Sequence, residues 1–399
     1  MKLLYLSTDF GVRPCGATGA SVHLRETVTA LRRLGHDVLT VSPNEGAGRV
    51  HPLDGAAEEA LRLMEQERAG LPGHLSREWR RLLYAERVQR PLLALLDEFR
   101  PDLIYERYSL FSYAGLEVAR ERGVPLVLEV NAPLSEEGAK YRDLVLQTTA
   151  RELERRIWAG ADALVVVSEA LAEHARSLGL PDERITVLPN GVDPDRFHPG
   201  VSGDAVREQY GLSGSWVVGF AGSFKPWHDL DTLLAAVRLL SQERMDVALL
   251  AVGDGPRLRD LASSREPWLT CTGAVDYARM PEHLAAMDAI AVPYPAGGDS
   301  YFSPLKLYEA MAMAKPVVAT RAGQAAEALV HGETGLLYEA GRPAELAATL
   351  GALAALPDRG ASLGGAARRW VLDGRTWEAN ARRIVALGET LIGKQGQER

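Results

Sequence analysis

The stretch Trp216-Val217-Val218-Gly219-Phe220-Ala221-Gly222-Ser223-Phe224-Lys225-Pro226-Trp227-His228-Asp229 runs from a short apolar segment straight into a loop holding a glycine, a hydroxyl, a lysine and an imidazole. A short apolar run that ends at glycine reads as a strand. The loop behind it then lies at the carboxyl edge of a sheet, where open α/β sheets bind ligands.

The same pattern recurs outward from this point. Strands are expected at Leu3 to Ser7, Val38 to Ser42, Leu103 to Glu106, Leu126 to Val130, Leu164 to Val167 and Ile185 to Leu188, and again at Trp216 to Ala221, Val247 to Val252, Leu269 to Thr272, Ala289 to Pro293, Val317 to Thr320 and Gly335 to Tyr338. Helical patterns separate them, the signature of parallel sheets joined by crossover helices. Two doubly wound α/β domains follow, 1–190 and 191–375, with a carboxyl-terminal helix at about 376–399 expected to pack back on the first. The junction falls at Pro189-Asn190-Gly191-Val192-Asp193-Pro194, because two prolines and an Asn-Gly pair enforce a turn. Between Arg49 and Arg100 helix formers dominate, with Leu61, Met64, Trp79, Leu82, Leu83, Leu92, Leu95 and Leu96 at helical spacing, which reads either as an amphipathic pair covering the first sheet or as a lobe that recognises an acceptor.

Composition narrows the class. A chain of 399 residues, 46% hydrophobic and 25% charged, is long enough for two cores. Its net charge of −8 argues against nucleic acid or anionic lipid as a partner. No run reaches the roughly 18 apolar residues of a membrane span, and Met1 to Asp9 turns polar too soon for a signal peptide, so a cytoplasmic enzyme is expected. Cys15 and Cys271 are the two cysteines, without a partner at metal-ligand spacing, so neither a disulfide framework nor a metal site is expected.

Four segments offer places for an anion. In Ser303-Pro304-Leu305-Lys306-Leu307-Tyr308-Glu309, Ser303 suits a helix N-cap and Pro304 the first helical position. The backbone N–H groups from Leu305 onward would point at a phosphate, with Lys306 and Glu309 one turn apart on one face. The plain alternative is a surface lysine–glutamate pair. Gly222 to Asp229 is the second segment. Gly253-Asp254-Gly255-Pro256 is the third, its glycines allowing close backbone approach to a flat group such as a base. Gly16-Ala17-Thr18-Gly19-Ala20-Ser21, ahead of a helix with Leu24, Val28, Leu31 and Leu34, is the fourth. None matches GxGxxG or the Walker A loop, which weakens oxidoreductase and NTPase readings.

These segments, in this order, resemble the family 4 glycosyltransferases, retaining enzymes of the GT-B architecture with two Rossmann-like domains facing across a cleft. The likeness also rests on Leu34-Gly35-His36-Asp37-Val38, Leu188-Pro189-Asn190-Gly191-Val192-Asp193, Thr272-Gly273, Lys315-Pro316-Val317-Val318-Ala319 and His331-Gly332-Glu333-Thr334-Gly335-Leu336-Leu337. Two departures from the family pattern stand out. Its first of two glutamates falls on Tyr301, and its diphosphate-gripping arginine and lysine fall on Ser223 and His228. A subgroup with Ser-Pro-Leu-Lys and Gly-Ser-Phe-x-Pro-Trp-His shares both changes, leaving Lys306, Lys225 or His228 to restore the charge.

The resemblance implies transfer of a sugar from a nucleotide-diphosphate sugar, as co-substrate, to a small-molecule or glycan acceptor hydroxyl or amine, without cofactor or metal. It places Lys306, with Lys225 or His228, on the diphosphate beside the Ser303 hydroxyl and the Leu305 N–H. Glu309 would accept from the ribose hydroxyls, Gly253, Asp254 and Gly255 would border the base, and Tyr301, Ser223 and Pro304 would line the donor site. Gly16 and Gly19 would approach the diphosphate or sugar, and Asn131, after the fourth strand read in the first domain, would touch the transferred sugar. Asp9, His23, Glu106 and Arg107, past strand ends or in a first helical turn, suit an acceptor. A sugar-nucleotide epimerase on the same fold and a non-catalytic nucleotide-sugar-binding homologue are the alternatives.

Overall fold

The computed structural model describes residues 1–44, 46, 49–67, 73–244, 246–264, 266–297 and 301–398. Contacts divide the chain into two units: Met1–Pro189 together with the chain from Trp377 onward, and Asn190–Thr376.

The first unit is built on seven strands: β1 (Lys2–Ser7), β2 (Asp37–Ser42), β3 (Val50–Pro52), β4 (Leu103–Arg107), β5 (Leu126–Val130), β6 (Ala163–Val166) and β7 (Ile185–Val187). They lie in the order β3-β2-β1-β4-β5-β6-β7 with every pairing parallel. The second unit carries β8 (Trp216–Ala221), β9 (Val247–Val252), β10 (Leu269–Gly273), β11 (Ala289–Val292), β12 (Val317–Thr320) and β13 (Leu336–Tyr338), in the order β10-β9-β8-β11-β12-β13, again parallel. In each sheet the chain first winds toward one edge, then crosses back to wind toward the other. The reversal falls between β1 and β4 and between β8 and β11, and a crevice opens beyond the carboxyl ends at such a point.

The apolar runs are strands because both faces of these sheets are covered. In the second unit Val217, Leu250, Ile290 and Val292 pack into one core with Leu307 and Met311. Val218, Phe220, Leu249 and Ala291 pack into the other with Leu233 and Leu350. Alternate residues point to opposite sides of a strand, so two cores need a continuous apolar run. β3 has no such run; it is three residues ending in proline, the middle one exposed, and register with Thr40 to Ser42 makes it a strand.

Between Arg49 and Arg100 the described residues form β3 and three helices, Asp54–Glu67, Gly73–Arg87 and Gln89–Phe99, where an amphipathic pair was expected. Tyr84, Val88, Leu92, Leu95, Leu96 and Phe99 form the buried stripe, and Trp79 is 37% exposed. The side chains of Leu61 and Met64 lie outside those described. No helix among the described residues is long and apolar enough to cross a membrane.

Glu106 corrects the sequence reading. It is 1% exposed at the carboxyl end of β4, sealed beneath the helix Ala114–Arg122 so closely that a Cβ on Gly115 would sit 2.0 Å from its Oε2. No acceptor can reach it. No ion pair engages it among the described residues, and burial pushes its pKa to about 8, the Ser112 hydroxyl pulling slightly the other way.

Gly253 and Gly255 have a structural task within the fold. Their φ angles are 136° and 157°, and added Cβ atoms would lie 1.9 Å from the Gly222 carbonyl oxygen and 2.6 Å from the Phe224 nitrogen. The close approach they permit is between the loops following β8 and β9. Those loops are stitched by Gly222 N–H donating to the Val252 carbonyl at 2.9 Å, Phe224 N–H to Asp254 at 2.9 Å and Gly253 N–H to Gly273 at 3.0 Å.

Gly253→Ala should therefore lower stability by about 2–4 kcal/mol through backbone overlap and positive φ, measured by urea denaturation. For Glu106 the sign runs toward acid. With a folded pKa of about 8 against an ordinary carboxyl value near 4, the folded chain holds a proton that the unfolded chain releases, so its stabilisation is complete at low pH and drains away as pH rises toward 8. Glu106→Gln should remove that slope, so its denaturation midpoint rises relative to the parent between pH 5 and pH 8; a gap that does not change with pH would contradict this.

Candidate functional site

The helix Leu305–Ala312 packs on the second sheet with Leu307, Tyr308, Ala310 and Met311 inward. It starts one residue later than expected: Pro304 is the cap, extended at φ −80° and ψ 109°, and no side chain caps it. Ser303 is claimed elsewhere, because Asn190 donates its backbone N–H to the Ser303 hydroxyl at 2.9 Å and its Nδ2 to the Ser303 carbonyl at 2.6 Å. Both groups are buried, and a buried N–H takes whatever acceptor is within reach. Asn190 thus anchors the entrance to this helix, while the Leu305 and Lys306 N–H groups are left by helix geometry without an intrahelical acceptor.

Lys306 and Glu309 are 9% and 6% exposed, which removes the surface-pair alternative. The Lys306 ammonium sits 4.3 Å from the Phe220 ring centroid and 5.6 Å from that of Tyr294, with no hydrogen-bond partner among the described residues. Burial brings its pKa down to about 7, with Glu309 pulling it upward. Room for it depends on Gly222, whose added Cβ would lie 3.2 Å from Nζ. Glu309 Oε1 accepts from the Tyr277 hydroxyl at 3.0 Å. Tyr277 opens the turn after β10, with its ring 5.7 Å from Phe197.

His228 does not supply positive charge. Its Nδ1 meets the Ser223 carbonyl, an acceptor only, so Nδ1 carries the proton. Burial first, then the neighbouring Lys306 and Lys225, push its pKa to about 3, and at neutral pH the ring is uncharged. The Ser223 carbonyl also accepts from Lys225 N–H at 2.9 Å. Lys225 is exposed, its ammonium 4.8 Å from the Trp227 ring centroid. Asp254 is taken up within its loop, its Oδ1 accepting from Gly255 N–H at 2.7 Å. Tyr301 is half-buried and stacks edge-on against Phe302 at 5.9 Å, which meets Tyr294 at 4.9 Å, so an aromatic row leads away from Lys306.

In the first unit, residues expected to act separately converge on one group that sequence reasoning left without a role. Glu129, 1% exposed on β5, accepts from Tyr105 Oη at 2.9 Å, Arg107 Nη1 at 2.8 Å and Asn131 Nδ2 at 2.7 Å, and pairs with His23 Nε2 at 2.8 Å. Burial alone would raise its pKa, but His23, Arg107 and Asn131 outweigh it and hold the group down at about 2. A charge inside Leu126-Val127-Leu128-Glu129-Val130 was the available signal, since a carboxylate in a buried strand needs partners. For Tyr277 and Asn190 no local signal exists.

The remaining residues have local work. Asp9 Oδ1 accepts from Gly11 N–H at 2.7 Å. Gly19 opens the helix Gly19–Arg33, capped by the Thr18 hydroxyl, which accepts from Ser21 N–H. Gly16 lies so close that an added Cβ would sit 2.5 Å from the Ser21 hydroxyl. Among the described residues no group of three or more His, Cys, Asp or Glu converges to hold a metal ion.

Comparison with known proteins bears on family and fold. Residues 17–196 match the model of Glycosyltransferase Family 4, and residues 215–355 that of Glycosyl transferases group 1. A GDP-mannose-dependent alpha-(1-6)-phosphatidylinositol monomannoside mannosyltransferase from Mycolicibacterium smegmatis is 33% identical over 247 residues, covering 60% of this chain and 65% of that enzyme's length. A GDP-mannose-dependent alpha-mannosyltransferase from the same organism is 27% identical over 398 residues, 99% of both chains. Among solved structures, Anabaena HepE in complex with UDP superimposes with a TM-score of 0.71 at 22% identity, over 98% of this chain and 100% of that one. The two parallel α/β units have the GT-B architecture, and the chain belongs to glycosyltransferase family 4.

Proposed function

We propose that the chain transfers a sugar from a nucleotide-diphosphate sugar to an acceptor hydroxyl or amine, with retention at the anomeric carbon and without a metal ion. One observation carries this reading: a buried ammonium, Lys306, with no hydrogen-bond partner among the described residues, in the first turn of a helix. The relatives named as transferases support the same reaction class, and neither the epimerase nor the non-catalytic alternative gains from them.

As the glycosidic bond breaks, negative charge gathers on the departing diphosphate. Lys306 and the N–H groups of Leu305 and Lys306 meet that charge in a site where water no longer screens them. His228 being neutral, Lys225 is the cation left to serve as the second, solvent-facing contact. The Tyr277 hydroxyl fixes one oxygen of Glu309, which leaves the carboxylate oriented to accept from a ribose. Asn131 contacts the sugar.

Lys306→Ala should lower kcat by about 10²–10³-fold in a transfer assay, the loss found when one charge-stabilising donor is removed, and Glu309→Ala by about the same factor because the ribose loses its acceptor and the donor its position. Near-normal rates in both would refute the assignment, and a wild-type protein inert toward UDP, GDP, ADP and dTDP sugars would refute the reaction. Binding of a nucleoside diphosphate should also depend on pH. With the Lys306 pKa near 7, the ammonium loses its proton above that value, so affinity should fall by up to about tenfold per unit from pH 7 to pH 9 in calorimetry.

A further inference from the structure

We infer that Glu129 is a positioning residue: it holds the Asn131 carboxamide in the one orientation that turns Oδ1 away from the strand and toward a substrate hydroxyl. The inference rests on the reading of Asn131 as a sugar contact. Its geometric basis is the 2.7 Å contact between Asn131 Nδ2 and Glu129 Oε1. An ionised carboxylate only accepts, so the reversed amide would set two acceptors against each other at that distance. The flip is therefore closed while Glu129 carries its charge.

The surroundings keep the carboxylate charged and still. Tyr105 and Arg107 approach it from β4 and His23 from the helix Gly19–Arg33, with the side chains of Arg107 and His23 only 11% and 8% exposed. Tyr5 on β1 also feels its charge. Behind His23, Trp377 closes edge-on with ring centroids 5.2 Å apart. Glu129 itself titrates only near pH 2. Asn131 is half-buried, so its outward oxygen has access to a ligand. That oxygen accepts and cannot donate, so it selects a hydrogen-bond donor, which on a sugar ring is a hydroxyl; a phosphate oxygen at the same place would be repelled.

Asn131→Asp provides the test. A second carboxylate then faces Glu129, and like charges this close share one proton. When that proton is present, an O–H donates to Glu129 and a carbonyl oxygen again points outward. The variant's kcat for sugar transfer, relative to wild type, should therefore be depressed at pH 8, where repulsion swings the new carboxylate off Glu129 and out of line with the substrate, and should rise as pH falls to 6 and the pair takes up its proton. Asn131→Ala should be depressed equally at both pH values. Combining Asn131→Asp with Glu129→Gln lets the glutamine amide donate to the new carboxylate, and should recover about tenfold or more of the loss at pH 8.

An Asn131→Asp rate ratio that is flat with pH, or a Glu129→Gln change that costs the same factor in wild type and in Asn131→Ala, would overturn the inference. Melting temperatures and nucleoside diphosphate binding are measured on every variant. If wild type binds nucleotide and turns over while the ratio stays flat, only the role of Glu129 falls. If wild type neither binds nucleotide nor transfers sugar, the transferase reading falls and this inference with it.

Discussion

The arrangement of the second unit depends on a lysine nitrogen enclosed among aromatic rings. Removing an ammonium from water costs several kcal/mol, and ring faces such as those of Phe220 and Tyr294 return about 1–2 kcal/mol. The shortfall appears as the lowered affinity of Lys306 for its proton. Much nearby follows from accommodating it. Gly222 has no side chain where Nζ lies, Asn190 ties down the residue before the helix, and His228 stays neutral beside it. Such a group interacts most favourably with an anion that arrives already positioned, and a diphosphate on its way out of a glycosidic bond is one whose charge grows in the transition state.

Two buried carboxylates in the first unit show how differently one chemical group can be handled. Glu129 and Glu106 occupy neighbouring strands, each 1% exposed. Four polar groups converge on Glu129, and it remains ionised to about pH 2. Glu106, pressed against Gly115, keeps its proton to about pH 8. Pairing and hydrogen bonding outweigh desolvation in the first case and are too weak to do so in the second. The paired group can hold a neighbour in one orientation. The unpaired one makes the fold sensitive to alkali.

Glycine plays a structural part at the carboxyl edge of the second sheet. The loops after β8 and β9 pass within backbone contact of each other, which only residues lacking a Cβ and tolerating positive φ allow at 253 and 255. Residues from separate strands thereby form one rim, with Ser223, His228 and Asp254 held by the bonds that join or close those loops.

The order of strands and crossovers was legible along the chain, since sheets covered on both faces require apolar runs that stand out from any background. Both the glycine-rich turns and the Lys306–Glu309 pair belong to that local grammar. β3 escaped it because Val50, His51 and Pro52, one apolar residue followed by an imidazole and a proline, become a strand only when β2 offers them a register. The helix start slipped by one residue because Asn190, 113 positions away, takes the Ser303 hydroxyl. Glu129 gathers partners from residues 23, 105, 107 and 131, and Tyr277 reaches Glu309 across 32 positions. Local spacing dictates which residues become strand, helix or turn; whether a given charge is paired, stripped of water or silenced is a property of the three-dimensional neighbourhood, because proton affinity follows burial and contacts that no stretch of sequence contains.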